Sequence, residues 1–193
     1  MIRLRRNWLF ALIAGINVRD MQYSYKKAKK VMVFGVFDPV PFAECETCLN
    51  ISRNGLIKSN DLCKKCGISR LHPGHISFLD QAAGHGDELI TVITRDDVVR
   101  QLKNKTPHHS EKERMLTVVE HPAVKIAVLG DFILGSYKII KIHKPDVICL
   151  GYDQQELEAD LRERMRRGEL QKAALVILAA HEPDIFHTSL LTA

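Results

Sequence analysis

Past residue 30 the chain alternates short apolar runs with amphipathic segments. This is the pattern of successive βαβ units around a mostly parallel sheet. The apolar runs predict strands at 31–37, 88–94, 124–129, 146–150 and 174–180, and helices fall between them at about 75–83, 110–120, 137–144 and 155–167. Ser110 stands where a helix N-cap is needed and Glu113 follows three residues later, the two halves of a capping box. Lys144-Pro145 ends the next helix just before a strand, because the residue before proline is driven out of the helical region. Asp153, after the fourth strand, reads as the N-cap of the last helix. One segment breaks the rhythm. Residues 39–71 have no periodicity and contain four of the five cysteines. A strand-to-helix connection normally takes about 2–6 residues, so this stretch is a functional loop or an insertion into the first βα unit.

Length and composition set the frame for these elements. A chain of 193 residues with 46% apolar and 26% charged side chains makes one globular domain with appendages, and excludes a disordered, collagenous or coiled-coil protein. No apolar run reaches the ~18–20 residues of a membrane span. The net charge of +5 suggests nucleic acid only until it is divided along the chain. Residues 1–30 hold eight of the 28 cations and one of the 23 anions, which leaves 20 cations against 22 anions in the body. A duplex-binding face on that body is not expected, and neither nucleic acid nor a membrane is an expected partner. The first twenty residues are basic and then apolar from Trp8 to Val18, which resembles a short signal peptide. The competing readings are an amphipathic extension or an upstream start, since Met21 opens a more ordinary lead-in. The expected organisation is thus a basic extension at 1–30 and a domain at 31–193 interrupted at 39–71.

Candidate chemistry gathers at the end of the first strand. Gly35 to Asp38 read GVFD, and Leu71 to His75, after the long segment, read LHPGH at a helix start. Pro73 suits a first helical turn, where its missing N–H has no partner to lose. Gly74 removes a side chain where a ligand would approach the backbone. Free amides and the positive end of the helix dipole then share a space with His72 and His75, which makes an anion site, most naturally for phosphate. Ligands of open α/β sheets bind at this end of the strands.

GVFD followed by LHPGHISFLDQAAGHGDELITVITRD resembles the opening of the nucleotidyltransferase superfamily of glycerol-3-phosphate and choline-phosphate cytidylyltransferases, pantetheine-phosphate adenylyltransferases and archaeal-type FAD synthases. The likeness continues through LKNKTPHHSEKERMLTVVE, VLGD and YKIIKIHKPDVICLGYDQ. It implies a Rossmann-like parallel sheet flanked by helices, in a cytoplasmic enzyme. It gives His72 and His75 the nucleotide's phosphates, with Gly35, Phe37 and Asp38 beside them. Lys103 joins the two histidines as a catalytic residue, and Lys105 as a phosphate contact, although LKNK by itself reads as a solvated loop. Gly151 and Asp153 fall where relatives place base and ribose. Arg114 matches an arginine common in its helix and is expected to reach a phosphate, the alternative being an exposed residue paired with Glu111. FHTSLL, at 186–191, resembles a degenerate form of the family's last motif, which makes Thr188 and Ser189 candidate triphosphate ligands.

Such chemistry needs no nucleophile from the protein. An acceptor phosphate attacks the α-phosphate of ATP or CTP and pyrophosphate leaves, with Mg2+ accompanying the triphosphate. Cys149, inside a strand, reads as a buried thiol. LGYDQ and the FHTS ending look most like archaeal-type FAD synthases, which use FMN as acceptor, with glycerol-3-phosphate cytidylyltransferases as the alternative. A homodimer is a further expectation of the resemblance.

Cys45-x-x-Cys48 and Cys63-x-x-Cys66 have the spacing of a four-thiolate Zn2+ site, and Gly67 supplies a turn after the second pair. Disulfides compete with that reading, but a cytoplasmic compartment keeps thiols reduced. A four-cysteine zinc knuckle inserted beside the active site is therefore expected, in a structural role. The 33 residues between Asp38 and His72 leave a rival from another class: a non-catalytic zinc-binding module on a disabled nucleotidyltransferase fold.

Overall fold

A computed structural model describes residues 27–39, 71 and 73–181. In chain order the elements are β1 (Lys30–Gly35), α1 (Pro73–Ala83), β2 (Glu88–Ile93), α2 (Asp96–Lys103), α3 (Glu111–Val119), β3 (Val124–Leu129), α4 (Lys138–His143), β4 (Val147–Leu150), α5 (Gln155–Arg166) and β5 (Ala174–Ile177). The five strands form one sheet in the order β3-β2-β1-β4-β5, and every neighbouring pair is parallel. The strands and helices expected from the sequence are all present, with ends shifted by at most three residues. Helix α2 is an addition to that set.

The central strands are apolar without alternation because both faces of a parallel sheet are covered. Val31, Met32 and Val33 of β1 are buried, as are Ile148, Cys149 and Leu150 of β4. Val31, Val33, Leu89, Ile93, Val147 and Cys149 turn to the face closed by Leu79 and Ala82 of α1 and Val118 of α3. Met32, Ile90, Val92, Ile148 and Leu150 turn to the other face, against Ile140 of α4 and Leu161 of α5. This is a Rossmann-like doubly wound α/β fold. Burial in that core pushes the Cys149 thiol up to about 11, which keeps it protonated and inert near neutral pH.

The chain winds from β1 to β2 and β3 on one side, then returns past β1 to β4 and β5 on the other. The direction of winding reverses between β1 and β4, and that reversal opens a crevice at the carboxyl ends of the strands. Leu71 belongs to the same buried cluster as Phe37, so both ends of the 39–71 segment return to one place in the core. Among the described residues no helix is long and apolar enough to cross a membrane.

Candidate active site

The crevice is a cleft of about 820 Å³ running across the carboxyl ends of the strands. Its volume lies in the ~300–1,000 Å³ range of small-molecule sites. Gly35 at the end of β1 and Val36 after it, Thr94 after β2, Gly130 after β3 and Gly151 after β4 all line it.

Helix α1 starts at Pro73, as its ring chemistry requires, and presents Gly74 and His75 to the cleft. No acidic side chain occupies its first turn, so the positive end of the helix dipole is left for an anion. His75 is seated by Phe37, whose ring centroid lies 5.3 Å away. Phe37 adopts the left-handed backbone (φ 51°) and folds its ring back over Gly35. A Cβ at Gly35 would lie 2.5 Å from that ring, which is why glycine ends β1. Phe37 is buried, so it serves the site by supporting His75 from below.

Asp38 is also buried. Its carboxylate accepts from the main-chain N–H groups of His108 (2.7 Å) and His109 (3.1 Å), and His109 Nδ1 lies 3.1 Å from it. The side chain expected beside the nucleotide therefore clamps the 104–110 connection to the end of β1. Lys103 is the last residue of α2 and lines the cleft, where Asn104 stops the helix in the left-handed conformation. LKNK is thus half helix and only half loop. Lys105 is exposed in the following turn and outside the cleft lining.

The sequence expectation for Arg114 needs correction. Its guanidinium is fully buried, and it pairs with Asp96 (2.6 Å), while Glu111 pairs with Arg95 (2.8 Å). Arg114 donates besides to the main-chain carbonyls of Val36, Thr94 (2.7 Å) and His109 (3.1 Å). One side chain thus ties the ends of β1 and β2 to the loop that Asp38 also holds. Helices α2 and α3 cap each other: Glu111 accepts from the Asp96 N–H (3.1 Å), and Asp96 accepts from the Glu111 N–H (3.2 Å). The capping box of Ser110 and Glu113 is present as expected.

Beyond β4, Gly151 is buried and Asp153 is exposed on the cleft. The N-cap of α5 is Gln154, not Asp153. Its side chain turns back to accept from the Gly151 N–H (2.8 Å) and to donate to the Phe34 carbonyl (3.0 Å), which stitches β4 to β1 beneath the cleft. Arg95, Gln154 and Asp96 escape a reading of the sequence, because their partners lie 15–120 residues away. His72, Thr188, Ser189 and the four cysteines of the predicted zinc site lie outside the described residues. Among the described residues no three His, Cys, Asp or Glu side chains converge as a metal site.

The cytidylyltransferase-like family model matches residues 69–189. The chain belongs to the cytidylyltransferase-like family. It is a nucleotidyltransferase, and the rival reading as a disabled, non-catalytic module gives way. The relatives agree. The chain is 34% identical over 119 residues to the FAD synthase of Thermococcus sibiricus, an alignment covering 62% of this chain and 80% of the relative. It is 39% identical over 112 residues to the FAD synthase of Archaeoglobus profundus, covering 58% and 70%. The crystal structure of the lipopolysaccharide core biosynthesis protein from Thermoplasma volcanium superposes with a TM-score of 0.59 at 28% identity, over 80% of this chain and 99% of that one. The cytidylyltransferase-like match begins only at the end of the 39–71 segment, yet β1 lies between β2 and β4 and carries Gly35 to Phe37 into the cleft.

Proposed function

We propose that this nucleotidyltransferase transfers the adenylyl group of ATP to FMN, releasing pyrophosphate and forming FAD. The observation that carries the reading is one cleft, at the reversal point of a parallel sheet, lined by the amino end of α1, His75 and Lys103. The archaeal FAD synthases among its relatives supply the choice of ATP and FMN.

In the reaction an oxygen of the acceptor's phosphate forms a bond to the α-phosphorus, and the bond to the pyrophosphate oxygen breaks. Negative charge spreads over the phosphoryl oxygens in the transition state. The α1 amides, His75 and His72 meet that charge at the α-phosphate, and Lys103, which lines the same cleft, meets the phosphates as well. The protein supplies alignment and charge. Magnesium, when bound, neutralises triphosphate oxygens. Gly151 and Asp153 take the base and ribose side, and Thr188 and Ser189 belong with the triphosphate. The test is pyrophosphate release with ATP or CTP against a panel of phosphate acceptors. ATP with FMN is the productive pair; preferential release with CTP and glycerol 3-phosphate would reverse the assignment.

The 39–71 segment is, in this reading, a zinc knuckle held by Cys45, Cys48, Cys63 and Cys66. Four soft thiolates with no fifth donor suit a closed tetrahedral zinc of structural type. About thirty residues with few large apolar side chains cannot bury enough surface to order themselves, so metal supplies the folding energy. Elemental analysis of protein purified without added metal should give one zinc per chain. Occupancy should fall as the solution is acidified, since protons compete for thiolate. Substoichiometric zinc at neutral pH, or unchanged zinc in Cys45→Ser, would remove the knuckle from the account.

A further inference from the structure

The two ends of the cleft differ in chemistry. Beyond β4 the lining is polar, with Asp153 and Gln154, and His181 follows β5. Beyond β2 and β3 large apolar side chains predominate, with Arg95, Lys103 and Asp131 among them. Val98 and Val99 of α2 are buried in that wall, and Leu102, Ile133 and Leu134 line the cleft while each remains more than half exposed. Phe132, Ile133 and Leu134 are three consecutive large apolar residues on the β3–α4 connection with no core to join. Exposed apolar runs of this kind mark a surface that something covers.

The connection is held in place. The Gly130 N–H bonds the Ile93 carbonyl (2.8 Å), Arg95 Nε bonds the Gly130 carbonyl (2.8 Å), and the Arg95 guanidinium stacks 3.6 Å above the Phe132 ring. At its other end Tyr137, in the left-handed conformation, donates its hydroxyl to Asp160 of α5 (2.6 Å). Burial and that carboxylate push the Tyr137 phenol up, so it stays a donor throughout the working range. A pinned loop presents its side chains at fixed places instead of collapsing them onto the protein.

We propose that Leu102, Ile133 and Leu134, backed by Val98 and Val99, are the specificity surface for the acceptor, and that they take the face of a flat, fused, largely apolar ring system. This rests on the adenylyl-transfer reading and deepens it. With the α-phosphate held at α1 beside β1, a nucleotide on the polar side leaves its acceptor on the apolar side. A small polyol phosphate would leave these three side chains in water; a flavin-class phosphate ester covers them. The occupant is continuous with the cleft, which favours a substrate ring over a protein partner.

The test uses the full chain and two variants, Ile133→Asp and Leu134→Asp, whose exposed positions tolerate charge. Riboflavin, which has the ring and no phosphate, is titrated by quenching of its fluorescence, and KM is measured separately for FMN and ATP. The expected result is riboflavin binding in the parent chain, and in each variant a KM for FMN raised about tenfold or more, the scale of a lost apolar substrate contact. The KM for ATP and the thermal midpoint should not move. Unchanged KM for FMN in both variants would overturn the inference while leaving adenylyl transfer standing. Riboflavin binding that the variants abolish, in a chain that does not adenylate FMN, would sustain the ring site and reject the reaction. Absence of both binding and turnover would reject both. A rise in KM for ATP, or a variant-induced loss of dimer in sedimentation, would also overturn it by giving the surface to the nucleotide or to a second copy of the chain.

Discussion

Replacing His75 with alanine should lower turnover a few hundred-fold while the protein stays folded. Losing one contact to charge that develops in the transition state costs ~3–4 kcal/mol. The imidazole stands in the first turn of α1, on the cleft, where the helix amides already favour negative charge. The structural loss is smaller. Alanine is the best helix former, Pro73 still starts the helix, and what disappears is the contact with the Phe37 ring, worth about 1 kcal/mol. In a chain of this size that moves the melting temperature by about 2–4 °C. The two readouts therefore separate chemistry from packing. Steady-state pyrophosphate release should show kcat and kcat/KM falling together, the mark of an interaction made only in the transition state. His72→Ala should behave alike kinetically. Near-normal turnover in either variant would take that histidine out of the mechanism.

The sheet is legible in the sequence because its strands are local and unambiguous. Val31 to Val33 and Val147 to Leu150 are short apolar runs between turn residues, and a buried parallel strand has no other pattern to show. Helix α1 is legible for the same reason, since Pro73 and the small residues at its start act within one turn. Helix α2 is hidden. Asp96–Lys103 contains only Val98, Val99 and Leu102 among charges, and much of its stability comes from trading caps with Glu111 across fifteen residues. Periodicity cannot register a partner at that distance. The site divides in the same way. The identities of His75 and Lys103 can be taken from motifs, but the role of Asp38 cannot, because its partners are the main-chain amides of His108 and His109, which no side-chain pattern encodes. The role of Gln154 is hidden for a similar reason: it stands at the N-cap of α5 with no side-chain cap bond, and its amide instead bridges two strands that meet only after folding.

Arg114 is the clearest such case, and its removal should be the most damaging single change to stability. Charged residues are almost never fully buried unless every donor is used, so sequence reasoning places an arginine on a helix surface or on a ligand. Here three carbonyls and a carboxylate converge from the ends of β1 and β2, the 104–110 loop and the start of α2, and one planar guanidinium bonds all four. In Arg114→Leu the Val36, Thr94 and His109 carbonyls lose their donor in a closed space, and Asp96, about a quarter exposed, loses its partner. Breaking a buried pair from one side costs about 3–5 kcal/mol, which corresponds to a fall of roughly 6–20 °C in melting temperature. Arg114→Lys should recover only part of this, because a compact ammonium cannot span acceptors arranged around a flat fork. Activity should fall with stability, since the same knot holds Val36 next to Phe37 and fixes the loop after Lys103. The deciding comparison is denaturation of the two variants followed by circular dichroism. A loss below about 1 kcal/mol in the leucine variant, the scale of an ordinary exposed pair, would mean that the guanidinium is solvated and does not bind the framework together.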